Sequence, residues 1–169
     1  KHIVDNLRIM LKEKGFNPPY LLVGHSFGAC YIRSFASYYP DEVAGLVFVD
    51  PHDFTKRNGY GRLPYQEIGL TEAQIDSIFA SYKHLGEQFL QNAPKHHVEE
   101  AKIQGELAET GHEECYRTPL PDIPVYIIMA GGFTLYNEEP PTTIWDREKM
   151  FRINSNIQMK RWLELLYPL

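Results

Sequence analysis

The chain has 169 residues, of which 43% are hydrophobic and 23% charged. That composition belongs to a globular chain of about one domain's length and excludes disordered and fibrous classes. The net charge of -5, without any Lys/Arg-rich run, argues against a nucleic-acid-binding face, and no apolar stretch reaches the roughly 20 residues of a membrane span.

In chain order, residues 2–14 repeat Ile3, Val4, Leu7, Met10 and Leu11 at helical spacing, with Asp5, Arg8, Lys12 and Glu13 between them. Gly15 stands where a glycine closes a helix, and Asn17-Pro18-Pro19 forces an extended connection. Tyr20-Leu21-Leu22-Val23 is a short apolar run of the kind buried on both faces of a parallel sheet, so a strand is expected over 20–24. A tight turn over 24–28 leads into a helix over 29–39, with Ile32, Phe35 and Ala36 on its inner face and Pro40 beyond it. A second strand is expected over 43–50. Strand, turn, helix and strand in this order make a βαβ unit.

From Pro51 to Pro121 buried strand runs disappear. Thr71 and Gln74 fit a capping box opening a helix towards Gln91, and a further helix is expected over 95–109. Residues 124–130 read as a third buried strand. Phe133 to Thr143 is read as a loop containing Pro140-Pro141, and Asp146 as the cap of a last helix. The expected organisation is a core over 1–51, a helical cap insertion over 52–121 and a continuation of the core over 122–169. Cys30 and Cys115 form no C-x-x-C pair, so neither a zinc site nor a disulfide framework is expected, and the compartment read from them is the cytoplasm. No cofactor is implied.

Gly24-His25-Ser26-Phe27-Gly28 matches G-x-S-x-G, a strand-to-helix turn that presents a serine at its tip. The turn strains the serine backbone, and flanking glycines leave room for the close approach of strand and helix. The serine stands at the carboxyl end of its strand, where α/β sheets place ligands. The helix N-terminus behind it favours negative charge, and the Phe27 N–H is a candidate oxyanion donor. The turn lacks the P-loop lysine and the dinucleotide glycine spacing, so phosphate binding is a weak alternative.

Residues 19–29 and 39–51, PYLLVGHSFGA and YPDEVAGLVFVDP, resemble the α/β-hydrolase superfamily around its fifth and sixth strands. The resemblance implies a partial α/β-hydrolase fold, with parallel strands, flanking helices and a helical cap. It implies a serine hydrolase in which Ser26 attacks a small-molecule substrate, most simply a carboxylic ester, through an acyl-enzyme. A serine at the elbow sets the chain apart from relatives that use an aspartate there.

The resemblance also implies an acid and then a histidine, in that order after the serine. Asp50, at the end of the second strand, is the candidate acid, a backbone-bonding aspartate being its plain alternative. Glu138, Glu139 and Asp146 are the other acids, further along. None of the seven histidines, His2, His25, His52, His84, His96, His97 and His112, follows the third strand. His25 points away from its neighbour Ser26 and suits a pocket wall. His52 lies near the site but departs from the family's order, and His84 to His112 read as solvated cap residues. The family's early strands and oxyanion loop are expected before Lys1 and its histidine beyond Leu169, so further segments or a second chain are expected to complete the sheet. The alternative is an incomplete fragment or a non-catalytic binding module. The cap aromatics Tyr60, Tyr65, Phe79, Tyr82, Phe89 and Tyr116 suit either an apolar pocket or plain packing.

Overall fold

The structure, a computed structural model, describes residues 1–54, 60–115, 118–129 and 146–166. The chain divides into two compact units, Lys1–Phe54 with Thr110–Gly131, and Thr55–Glu109 with Gly132–Leu169.

The first unit opens with helix α1 (His2–Glu13). It ends in a Schellman closure, in which Gly15 takes a φ of 80° and the amides of Gly15 and Phe16 return to the carbonyls of Lys12 and Leu11. Strand β1 (Tyr20–His25), helix α2 (Gly28–Tyr38) and strand β2 (Val43–Val49) follow. Strand β3 (Val125–Ile128) completes a parallel sheet in the order β1-β2-β3.

Register explains how β2 packs. Tyr20 pairs with Val43 but Leu21 with Gly45, so Ala44 is an extra residue on β2. Val43 and Leu46, three positions apart, would otherwise face opposite sides of the sheet. The bulge puts both on the buried face with Phe48, Tyr20 and Leu22. Helix α2 lies against β1 and β2, burying Ile32, Phe35 and Ala36, and Phe35 meets the Tyr20 ring edge-on at 6.0 Å.

The expectation of strands buried on both faces is corrected here. Burial alternates along β1, with Leu21 64% and Val23 62% exposed, and on β3 Tyr126 and Ile128 are exposed too. An apolar run is buried twice only where both faces carry a covering layer.

In the second unit, α3 (Leu63–Glu67) turns into α4 (Glu72–Asn92), which the Thr71/Gln74 capping box opens. Arg62 fixes that corner through Glu72 at 2.6 Å and Asp76 at 2.7 Å. Helix α5 (Lys95–Glu109) buries no residue, and α6 (Arg147–Leu166) packs on α3 and buries Trp162. The Asp146 carboxylate accepts the Lys149 amide at 3.0 Å and so caps α6. Among the described residues no helix is long and apolar enough to cross a membrane.

A charged clasp joins α1 to the turn after α2. The Arg8 guanidinium grips both Glu42 carboxylate oxygens, at 2.9 and 2.6 Å, and Lys12 adds a bond of 3.2 Å. Arg8 also lies over the Tyr39 ring at 4.4 Å, and the Tyr39 hydroxyl donates to Asp5 at 2.6 Å. Hydrogen bonding from Arg8 above all holds the Glu42 carboxyl down to about 2. A carboxylate lowered in the folded state stabilises it above its unfolded pKa, and that contribution fades as the pH falls through the folded value. Unfolding experiments should therefore show wild type losing stability relative to Glu42→Gln as the pH falls from about 4.5 towards 2. Parallel curves for the two proteins over that range would refute the clasp.

Candidate functional site

The turn between β1 and α2 is built on one missing side chain. A Cβ on Gly24 would lie 2.6 Å from the Gly28 carbonyl oxygen and 2.7 Å from its carbon, distances that no side-chain carbon tolerates. Strand and helix therefore touch backbone to backbone. Gly28 differs from what the motif suggests, because a Cβ there meets nothing within 4 Å. Its contribution to the close approach is its carbonyl, not its lack of a side chain.

The close approach holds Ser26 at φ 49°, a left-handed conformation uncommon for a side-chain-bearing residue. Three backbone hydrogen bonds secure it. The Ser26 amide donates to the Val49 carbonyl at 3.1 Å, and the Ser26 carbonyl accepts from the amides of Ala29 at 3.1 Å and His52 at 2.9 Å. The first ties the turn to β2, the second to α2, and the third to the segment after β2. The Phe27 amide makes no hydrogen bond among the described residues. Its ring is buried, edge-on to Tyr31 and His52 at 5.3 Å each. His25 is exposed at the end of β1.

Asp50 stands directly beside this turn. His25 pairs with Val49, so Ser26 and Asp50 are the next residues at neighbouring strand ends. Asp50 is also left-handed, at φ 41°, and its amide donates to the Ile128 carbonyl at 2.7 Å. Two strained, non-glycine residues therefore sit side by side at the carboxyl edge of the sheet, the kind of place where backbone strain collects at functional sites. Of the other acids, Asp146 is engaged as the α6 cap, while Glu138 and Glu139 lie outside the described residues.

The histidines divide sharply. His84, His96 and His97 are exposed, as solvated residues should be. His112 is corrected: it is only 4% exposed, and its ring centroid lies 5.5 Å from that of His52. A row of rings, Phe27, His52 and His112, thus runs from the turn into the first unit. Sequence reasoning missed His112 because its neighbour in space is sixty residues away along the chain. Its φ of 59° after Gly111 marks a sharp corner that no local pattern announces.

Of the aromatics expected to belong to a cap, Phe79, Tyr82 and Phe89 are exposed on α4, at 39%, 56% and 61%. Tyr65 meets the Phe79 ring at 5.8 Å, and burial, then hydrogen bonding with Tyr82, pushes its hydroxyl up. Tyr116 and the Tyr60 side chain lie outside the described residues. Among the described residues no cluster of three or more His, Cys, Asp or Glu is arranged to hold a metal ion.

The two glycines of the turn should respond oppositely to a methyl group. Gly24→Ala drives a Cβ into backbone and should cost about 1–3 kcal/mol of stability or more. Gly28→Ala adds a better helix former in open space and should leave stability unchanged or raise it by up to about 1 kcal/mol. Chemical denaturation of both variants checks this, and equal losses would refute the packing described.

Residues 1–165 match the family model described as alpha/beta hydrolase fold. No curated protein and no solved structure matches the chain.

Proposed function

The chain belongs to the alpha/beta hydrolase fold family, and we propose that it is a serine hydrolase with Ser26 as its nucleophile. The observation that carries this reading is the left-handed Ser26 at the tip of a turn that only Gly24 permits. A serine so placed sits on the shortest path between strand and helix, at the carboxyl edge of the sheet.

The chemistry proposed is acyl transfer. The Ser26 Oγ attacks the carbonyl carbon of a small carboxylic ester while a histidine base takes its proton. The tetrahedral oxyanion is met by the Phe27 amide, whose N–H belongs to the first turn leading into α2, and by the positive end of that helix. Collapse expels the alcohol and leaves an acyl-enzyme, which water then hydrolyses. Asp50 is the proposed acid that orients the base, on the strength of its register beside Ser26. His52 is a histidine whose backbone is tied to the turn, its amide donating a hydrogen bond to the Ser26 carbonyl. No cofactor enters this scheme. The helical insertion expected over 52–121 is proposed to contribute to substrate selection.

Intact-mass analysis after treatment with a fluorophosphonate tests the nucleophile. One adduct is expected on wild type and none on Ser26→Ala; an unlabelled wild type would remove the nucleophile assignment and leave the family membership standing. Asp50→Asn should slow labelling roughly a hundredfold or more if Asp50 orients the base. A near-normal rate would move the acid to Glu138, Glu139 or Asp146. Labelling that survives in His52→Asn would assign the base to another histidine.

A further inference from the structure

The chain's two cysteines, far apart in sequence, meet inside the first unit. Cys30 lies on α2, one turn beyond Ser26, and Cys115 ends the short 3-10 helix Glu113–Cys115. Both are buried, at 1% and 0% exposure. The Cys115 Sγ lies 3.7 Å from the Cys30 carbonyl oxygen and 3.6 Å from the Ser34 Oγ. Cys30 and Ser34 are successive residues on one helix face, so the Cys115 sulfur rests on that face. The surrounding framework holds it there. The Ser37 hydroxyl donates to the Cys115 carbonyl at 3.4 Å, and buried Arg33 bonds the Ser37 Oγ and, at 2.7 Å, the Thr118 carbonyl.

We propose that Cys30 and Cys115 are an oxidisable pair, a modification site at which a disulfide ties α2 to the Glu113–Cys115 turn. The co-reactant is a low-molecular-weight disulfide. Cys115, at the end of a three-residue turn, is the more easily opened to solvent, and its thiolate attacks one sulfur of the reagent and releases the first small thiolate. The Cys30 thiolate then attacks the Cys115 sulfur of the mixed disulfide and releases the second. Two protein thiols lose two electrons and two protons, and one small disulfide becomes two small thiols. The sulfurs must close to the roughly 2.05 Å of a disulfide, and the Cys115 Sγ starts from a position 3.7 Å from the Cys30 carbonyl oxygen.

A hydrogen bond to Cys115, then burial, holds the Cys30 thiol high, so Cys30 waits as a thiol for the second step. The hydrogen bond from Cys30 lowers Cys115. Burial of both sulfurs makes opening of the turn the slow event.

The test incubates the folded protein with oxidised glutathione, then unfolds it and alkylates the remaining thiols. Wild type should offer no alkylatable thiol, weigh two hydrogens less than the reduced protein, and give a peptide map joining Cys30 to Cys115. Cys30→Ser should stop with one glutathione on Cys115. The midpoint of thermal unfolding should rise by roughly 5–15 °C on oxidation and return on reduction. Two thiols still alkylated, a separate glutathione on each, or a bond between two copies would overturn the proposal. The wild-type map decides the matter even if the serine variant fails to fold.

Discussion

The contact between the Gly24 backbone and the Gly28 carbonyl is the constraint from which the first unit is built. A chain leaving a strand for a helix has no room for a wide loop if the helix is to return onto the same sheet. The tight path costs the serine its ordinary conformation, a strain of about 1–3 kcal/mol. The three backbone hydrogen bonds around Ser26 offset it at about 1 kcal/mol each. Because those bonds reach β2, α2 and the segment after β2, the strain is spread over three elements and cannot relax by moving any one of them.

The same turn sets the demands on β2. Its last residue, Val49, must present its carbonyl to Ser26, while its first, Val43, must be buried beside Tyr20. A regular strand satisfies the second demand only by turning Leu46 to the wrong face. The Ala44 bulge resolves this conflict near the start of the strand, leaving regular pairing from Leu21 to His25. Irregularity is tolerated at the end of the sheet away from the turn, and regularity is kept where the Ser26 amide needs a carbonyl at 3.1 Å.

Features carried by neighbours in sequence were legible in advance. The Thr71/Gln74 box, the Gly15 closure, the Asp146 cap and the strand-turn-helix motif each need only a few adjacent residues, so composition and spacing reveal them. Helix α5 was legible too, its exposed ladder of Lys95–Glu99 and Lys102–Glu106 pairs being local. What escaped depends on partners distant in sequence. Val23 is as apolar as a twice-buried strand residue, and only the layer on its own side decides its exposure. His112 sits among polar residues, and only the return of the chain from Thr110 into the first unit buries it against His52. The role of Gly28 escaped for a subtler reason: the motif has a glycine at each end, but the steric demand falls on the first alone.

The edge at which Ser26 and Asp50 meet shows how the backbone alone can bring two residues of a candidate site together. Backbone register puts the two residues together, and register follows from the sheet hydrogen bonds of every strand below them. Their left-handed conformations have the same source, since each residue leaves its strand while its amide is held by the neighbouring one, Ser26 by Val49 and Asp50 by Ile128. Successive strands thus turn away at the same level, and a shelf forms along their carboxyl ends. A base drawn from a separate element has no such register to position it. Its geometry depends on how that element packs, which is a property of side chains and layers and not of the sheet. The placement of Ser26, the proposed nucleophile, and of Asp50, the proposed acid, is therefore a consequence of the fold's backbone, while that of any further partner is a matter of tertiary packing.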